Sequence, residues 1–188
     1  MVNSSTSSSR RTFFLKLAGF LVLLAVLDFG LGGVLRHFYF TQKSGLNAMT
    51  TYALEESRDD ILVLGSSRAQ AHYVPAVLEE GLGGSCYNAG RNGQSLLYAA
   101  AVFDAVLARE APEVVILDVI PADFYVYHNH YDRLSALLPY YRDNEAVRPF
   151  VLMRSPMERI KLASSIYPFN SLPLQIFKYN FKEGGDRK

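Results

Sequence analysis

The stretch ILVLGSSRA, residues 61–69, decides the fold of this chain. Four branched apolar side chains, Ile61–Leu64, stand in a row between two aspartates and the turn residues Gly65 and Ser66. A run that is apolar on both faces is typical of a strand buried in a parallel sheet. The sequence therefore predicts a buried strand, followed by a sharp turn into a helix that begins near Ser67.

Alternating strand and helix patterns continue downstream of this strand. The predicted elements are a short helix over 75–81, a strand over 85–88, a glycine-rich turn over 89–93, a helix over 96–109 and a third buried strand over 114–117. Alternation at this spacing is typical of βαβ units in a doubly wound parallel sheet. Ligands of such sheets bind beyond the carboxyl ends of the strands. The chain is therefore predicted to be an α/β protein with a site at that edge.

An apolar run at residues 17–35 follows Arg10, Arg11 and Lys16. With the two phenylalanines that precede Lys16, the run reaches about 20 residues, enough for one helix to cross a bilayer. The positive charges favour an orientation with the N-terminus inside, which places the rest of the chain outside the cytoplasm. No small-x-small cleavage motif follows the run, so an uncleaved anchor is predicted rather than a removed signal peptide.

These signals divide the chain into five parts. The predicted order is a disordered cytoplasmic tail over 1–12, a transmembrane anchor over 13–36, a spacer over 37–60, an α/β core over 61–130 and a helical or irregular extension over 131–188. The predicted localisation is a single-pass protein of the cell membrane with an extracytoplasmic domain. Three strands make a thin sheet, so the core is predicted to be incomplete toward the C-terminus and to belong to a longer domain or to need a partner.

Asp28 is an ionisable residue within the apolar run. A charged group deep in a bilayer is costly unless protein or water surrounds it. Two interpretations stay open. The carboxylate faces a partner protein in the membrane, or it lies close enough to the outer interface to reach water.

Composition excludes several classes of function. The net charge is +1 and no basic stripe is present, so the chain has no electrostatic footprint for nucleic acid. The single cysteine, Cys86, excludes an internal disulfide and a multi-thiolate metal site. No cluster of His, Asp and Glu has metal-ligand spacing, and neither a dinucleotide fingerprint nor a Walker motif is present. No metal and no cofactor are therefore predicted.

The unusual residues of the core fall at the predicted strand ends. Ser67 is the candidate nucleophile, because a serine at a sharp strand-to-helix turn presents its hydroxyl above the sheet edge, beside backbone N–H groups that favour negative charge. Helix capping is the alternative role for a serine at this place. After the second strand, glycines in NAGRNGQS (88–95) let backbone N–H groups approach a substrate oxygen, and Asn88 or Asn92 can bind the loop or that oxygen. A phosphate cradle is the rival interpretation of this loop, and the missing nucleotide motifs argue against it.

Three segments, LVLGSSRA, YNAGRNGQS and VVILDVIPADF, resemble the first three blocks of the SGNH/GDSL hydrolase superfamily. They are similar in particular to its membrane-anchored, cell-envelope branch, which includes proteins of D-alanyl-lipoteichoic-acid transfer. The resemblance spans residues 60–125. It implies a flavodoxin-like, three-layer parallel sheet and acyl-ester hydrolysis or transfer on envelope polysaccharide or lipid. It also implies that Ser67 is the nucleophile and that the backbone N–H groups of Ser67 and Gly93 form the oxyanion hole. The possible substrate-binding residues at the same edge are Arg68, Asn88, Asn92 and Asp123.

The chain departs from the family pattern in two ways. Ala122 stands where the third block usually has an asparagine that donates to the oxyanion, and no Asp-x-x-His is present in the sequence. A serine hydroxyl is a poor nucleophile until a base takes its proton, so catalysis by these residues alone is predicted to be severely weakened. His37 belongs to the membrane interface and His72 to a packing or capping role. His128 and His130 follow the third strand and are close enough in sequence to swing over the site.

Two functions from different classes therefore remain. The leading prediction is a membrane-anchored, SGNH-like esterase or O-acyltransferase that acts on cell-envelope polysaccharide or lipid through Ser67. The alternative is a non-catalytic, membrane-anchored binding or assembly subunit, or a fragment of a longer hydrolase. Ala122, the missing histidine block and Asp28 favour the alternative.

Overall fold

The computed structural model describes residues 5–125 and 127–181. The chain is mostly helical, with a small parallel sheet and a long apolar helix at the N-terminus. The strands are β1 (Ile61–Leu64), β2 (Cys86–Asn88) and β3 (Val114–Leu117). The helices are α1 (Ser5–Phe40), α2 (Gly45–Thr51), α3 (Ser67–His72), α4 (Pro75–Leu82), α5 (Leu96–Leu107), α6 (His128–Arg133), α7 (Arg148–Leu152), α8 (Glu158–Lys161) and α9 (Pro173–Phe181). A π-helical turn (Tyr52–Glu56) continues α2, and 3₁₀ turns lie at Pro121–Phe124, Leu134–Tyr140 and Tyr167–Phe169.

β1 is the central strand of the sheet. β2 pairs with it on one side and β3 on the other, both in parallel, so that Ile61 lies opposite Cys86 and Val114. Each of the three segments predicted as strands forms one, and helices separate them along the chain. The predicted parallel sheet is therefore confirmed, while the mostly helical chain is only loosely compatible with an α/β fold.

Helices cover both faces of β1. Leu62 and Leu64 belong to the main apolar cluster together with α5, whereas Ile61 and Val63 belong to a smaller cluster with side chains of α3 and α4. Alternate side chains of a strand face opposite sides of a sheet. A strand that is apolar at all four positions is therefore what burial on both faces requires.

β3 corrects the prediction of a third buried strand. Val114, Val115 and Leu117 are 39%, 41% and 46% exposed. β3 lies at the edge of the sheet, and within the described ranges no strand pairs with its outer side. All four side chains of β1 belong to the two apolar clusters, whereas of β3 only Ile116 packs against one of them, so most of β3 is left uncovered.

α1 starts earlier and ends later than the predicted anchor. The tail predicted to be disordered is helical from Ser5 onward, while residues 1–4 lie outside the described residues. A helix that has nucleated in the apolar run extends at little cost into flanking residues, which explains the longer element. The segment Arg10–Phe40 is long and apolar enough to cross a membrane. The prediction of one N-terminal helix of this kind is confirmed.

The segment predicted to be a spacer, residues 37–60, is instead part of the core. Ala53 and Leu54 are buried in the main apolar cluster. Polar side chains of α2 are buried as well, because they find partners: Thr51 Oγ1 lies 2.7 Å from the Tyr140 hydroxyl. The polar composition of this segment therefore does not indicate a loose connection, since the buried threonine hydroxyls of α2 form hydrogen bonds.

The predicted extension at 131–188 is helical in its described part, as expected, but it is not peripheral. Leu134 and Tyr140 are fully buried members of the main apolar cluster. Phe169 packs on Tyr39 of α1, with 5.6 Å between the ring centroids. The extension therefore closes the domain core and fixes it to α1.

Asp28 is bound by this domain. The Ser164 hydroxyl donates to its carboxylate at 2.5 Å, the Ser165 backbone N–H at 2.6 Å and the Ile166 backbone N–H at 3.3 Å. A carboxylate that accepts backbone N–H groups at the start of a turn acts as a cap. Neither interpretation from the sequence, a membrane partner or water, foresaw a partner within the same chain.

Candidate functional site

The predicted site residues lie where β1, β2 and β3 end. The chain leaves β1 for β2 on one side of the sheet and then crosses to β3 on the other side. In open parallel sheets such a reversal leaves a crevice at the carboxyl ends of the strands, which ligands occupy. A small cavity lies at this place. Its lining includes the polar or turn residues Gly65, Ser66, Gln94, Ser95, Asp118 and Asp123.

Three polar atoms that line this cavity have no hydrogen-bond partner among the described residues: Ser66 Oγ, Gln94 Oε1 and Ser95 Oγ. All three are buried. Buried polar atoms are almost always paired, so three unpaired ones around one cavity mark a place for a polar group. The cavity has a volume of about 10 Å³, which is room for a group the size of one water molecule. The sequence alone assigns none of these three side chains a role in the site. The available signal was that both serines directly precede helices.

Ser67 is the first residue of α3, and its side chain is exposed. The helix cap is Ser66, and its hydroxyl makes no capping hydrogen bond. Capping, the alternative role considered for Ser67, is therefore not the role of this side chain. Within the described chain its hydroxyl is not hydrogen-bonded, and the backbone N–H groups of Ser67 and Gly93 donate to no acceptor. The fold thus leaves free the groups assigned to the nucleophile and the oxyanion hole.

Arg68 is bound to the two aspartates that follow β3. Its Nε donates to Asp118 and its Nη2 to Asp123, both at 2.8 Å. Burial alone would lower the pKa of this guanidinium, but the hydrogen bond to Asp123 and the charge of Asp118 hold the pKa above its ordinary value. These ion pairs fasten the start of α3 to the end of β3. Two predicted substrate-binding residues, Arg68 and Asp123, thus neutralise each other in this structure.

The two asparagines of the loop after β2 have different surroundings. The Asn88 side chain is buried, donates to the carbonyls of Ala69 and Tyr73 at 2.8 Å each, and accepts from the Gly90 N–H at 2.9 Å. This amide is therefore used to hold the loop against α3. Asn92 is exposed, so it is the asparagine whose side chain a substrate can reach.

No histidine side chain in the described part of the protein is hydrogen-bonded to Ser67. His37 lies on α1 and His72 is exposed at the end of α3. His130 lines a pocket that also includes Asp123, and its ring contacts Tyr127. The side chain of His128 lies outside the described residues. A base for Ser67 is therefore not in place among these groups.

The pocket beside Asp123 has a volume of about 180 Å³ and a mainly apolar lining. Leu96 and Asp123 line both this pocket and the small polar cavity, so the two are adjacent. The remaining residues that line the pocket beside Asp123 are Leu97, Phe124, Tyr125, Tyr127, His130 and Tyr131. The site thus combines a polar end at the strand termini with an aromatic compartment next to it.

Gly90 allows the loop after β2 to lie against α3. A Cβ at this position would lie 2.6 Å from both Ala69 Cβ and Gln70 N. We expect Gly90→Ala to lower the free energy of unfolding by about 1–3 kcal/mol, as overpacking does, and to displace the loop that carries Gly93. Urea unfolding of the full chain in detergent measures the change. Gly81→Ala in α4 is the control, since nothing lies within 4 Å of its Cβ position, and equal stability of the two variants would contradict the expectation.

No family model matches the chain, and no curated protein or solved structure matches it either. Its class therefore follows from its own structure. The protein is a mostly helical domain with a small three-stranded parallel sheet, carried on an apolar N-terminal helix, with a polar cavity where β1 and β3 end.

Proposed function

We propose that this protein is a membrane-anchored, SGNH-like esterase or O-acyltransferase that uses Ser67 on acyl esters of cell-envelope polysaccharide or lipid. The observation that carries the proposal is the set of unpaired polar atoms at the reversal of strand order, next to an exposed serine on the following turn. Ligand chemistry in open parallel sheets occurs at this place.

The residues around the cavity suit an acyl-transfer reaction. Ser67 Oγ would attack the ester carbonyl carbon, and the carbonyl oxygen would gain negative charge as the carbon becomes tetrahedral. Collapse of this intermediate would break the ester C–O bond, and the Ser67 hydroxyl proton would pass to the departing alcohol oxygen. The acyl group on Ser67 would then pass to water or to an acceptor hydroxyl. Free backbone N–H groups at Ser67 and Gly93 are donors of the kind that stabilise such an oxyanion. The aromatic pocket beside Asp123 would hold an acyl chain or a sugar ring, since both pack well on aromatic faces.

The strand order supports the finer fold assignment. The order β2-β1-β3 coincides with the first three strands of a flavodoxin-like sheet. Apolar clusters on both faces of β1 agree with a three-layer arrangement. We infer a sheet of this type.

The anchor completes the proposal. α1 would cross the cell membrane with Arg10 and Arg11 on the cytoplasmic side, because basic residues are retained there. The α/β domain would then lie outside the cytoplasm, where envelope polysaccharides and lipids are accessible.

A second candidate function has support of its own. Among the described side chains no histidine contacts Ser67, and Arg68 is neutralised by two aspartates. A serine without a base reacts slowly. These observations favour a non-catalytic, membrane-anchored binding or assembly subunit that uses the same cavity for recognition.

A fluorophosphonate probe separates the two candidates, because it bonds covalently to activated serine hydroxyls. We expect labelling of the full-length protein in membranes, loss of all labelling in Ser67→Ala, and unchanged labelling in Ser171→Ala, which alters an exposed serine before α9. Mass spectrometry of the labelled peptide identifies the site. Labelling that persists in Ser67→Ala, or a wild-type protein that is never labelled, would leave the binding subunit as the better proposal.

A further inference from the structure

The domain contacts α1 within the apolar run rather than beyond it. Asp28, which Ser164 and Ser165 bind, lies seven residues before the run ends at Leu35. Gly32, one turn further along, lies so close to Ser165 that a Cβ would be 2.5 Å from its Cβ. The part of the domain around Ser164 and Ser165 therefore lies alongside the hydrophobic part of the helix.

The other sides of α1 at this level are apolar and uncovered. Beyond Asp28, the exposed side chains of the helix include Phe29, Leu31, Val34 and Phe38. Large apolar side chains in such a continuous row are stable where they meet lipid rather than water. The exposed side chains of α1 are therefore compatible with lipid well beyond Asp28, where the domain contacts the helix.

Helix length points the same way. The segment from Thr12 to Leu27 lies between the two arginines and Asp28. At about 1.5 Å per residue it is about 24 Å long. The hydrocarbon core of a bilayer is about 30 Å thick. A helix that ended its span at Asp28 would be too short, so the hydrocarbon layer extends past Asp28. The residues that bind Asp28 therefore lie at the membrane boundary.

α8 immediately precedes the residues that bind Asp28, and it has the surface of an interfacial helix. Met157 and Ile160 are 52% and 65% exposed, and Arg159 and Lys161 stand beside them. Apolar side chains flanked by basic ones are typical of elements that rest in the headgroup layer. The Glu158 side chain is buried and pairs with Arg154 and Lys161. These ion pairs fix the orientation of α8, so that Met157 and Ile160 stay on its outer side.

We propose that α8 and the residues that bind Asp28 rest in the headgroup layer of the bilayer, with Met157 and Ile160 in contact with lipid acyl chains. The proposal rests on the membrane anchoring in the proposed function, but not on its chemistry or orientation. The domain is then seated on the membrane surface rather than suspended above it. A site so placed would meet substrates that are themselves held at the membrane.

The protein contains no tryptophan, so single tryptophans report membrane depth without background. Full-length Ile160→Trp, Phe20→Trp and Val77→Trp are reconstituted in phosphatidylcholine vesicles without bromine, with bromine on the acyl chains near the headgroup, or with bromine at mid-chain, which is the expected depth of Phe20. Bromine quenches only tryptophans that contact the chains. Val77 is the matched control, because its exposure of 64% is close to the 65% of Ile160 and it lies on α4, across the sheet from α1.

We expect brominated lipid to remove at least half of the fluorescence of Ile160→Trp and Phe20→Trp and to leave that of Val77→Trp unchanged. Quenching of Phe20→Trp with Ile160→Trp no more affected than Val77→Trp would overturn the seating of α8 while keeping the anchor. An unquenched Phe20→Trp would overturn the anchor and the seating together. Circular dichroism of each variant checks that its helix content equals that of the parent.

Discussion

Glu158→Ala is expected to lower the free energy of unfolding by about 3–5 kcal/mol, the range for removing one partner of a buried ion pair. The Glu158 side chain is 1% exposed and binds Arg154 at 3.1 Å and Lys161 at 2.9 Å. Tyr167 donates to the same carboxylate at 2.8 Å. Alanine would leave Arg154, which is itself mostly buried, without its counter-charge.

Urea unfolding of the full chain in a mild detergent, followed by circular dichroism, measures this loss. Glu145→Ala is the matched control, because Glu145 also pairs with an arginine on a nearby helix but is 87% exposed. A surface pair of that kind contributes at most about 1 kcal/mol. If the two variants unfolded at the same urea concentration, the buried carboxylate would not be the support of α8 that we infer.

Gly32→Ala is expected to weaken the contact between α1 and the domain. The added Cβ would lie 2.5 Å from Ser165 Cβ and 2.6 Å from its carbonyl carbon. Backbone atoms cannot rotate aside as a flexible side chain can, so the helix or the Ser165 segment must move. We expect a loss of about 1–3 kcal/mol in the free energy of unfolding, as for other overpacked positions.

Gly33→Ala tests whether the effect is steric. The neighbouring glycine belongs to the same helix and has nothing within 4 Å of its Cβ position. Alanine there should raise stability by up to about 1 kcal/mol, because it favours the helical backbone. Opposite signs for adjacent glycines, measured by urea unfolding under identical conditions, support the contact. Equal effects would show that the close contact between α1 and the domain does not depend on the missing side chain at Gly32.

Local pattern was sufficient for the elements of the sheet. Ile61–Leu64 forms the predicted strand because only an extended segment buried on both faces needs apolar side chains at every position. The site edge was predictable for a related reason, since strands that run parallel end at one edge and bring Ser67 and Asp123 to it. The burial of a strand, in contrast, depends on which elements pack against it. Val115 is as apolar as Leu62, but it is 41% exposed and belongs to neither apolar cluster.

Partners between distant parts of the chain were not predictable. The sequence placed Arg68, Asn88 and Asp123 at the edge of the sheet. It could not predict that Arg68 binds Asp123 or that Asn88 binds the backbone of α3, because no local pattern contains these distances. The same holds for Ser66 and Ser95, whose hydroxyls are without partners in the described chain. Whether a buried hydroxyl finds a hydrogen-bond partner depends on the residues that the fold packs around it.

The sequence by itself determined the apolar helix, the three strands and the place of Ser67 after the first of them, because each depends on the periodicity of neighbouring side chains. The tertiary structure alone decided that Asp28 is bound by Ser164 and Ser165 and that β3 is left uncovered. Hydrogen bonds and burial between residues far apart in the chain arise only when the whole core has packed. The environment of Ser67, on which any chemistry depends, belongs to this second group.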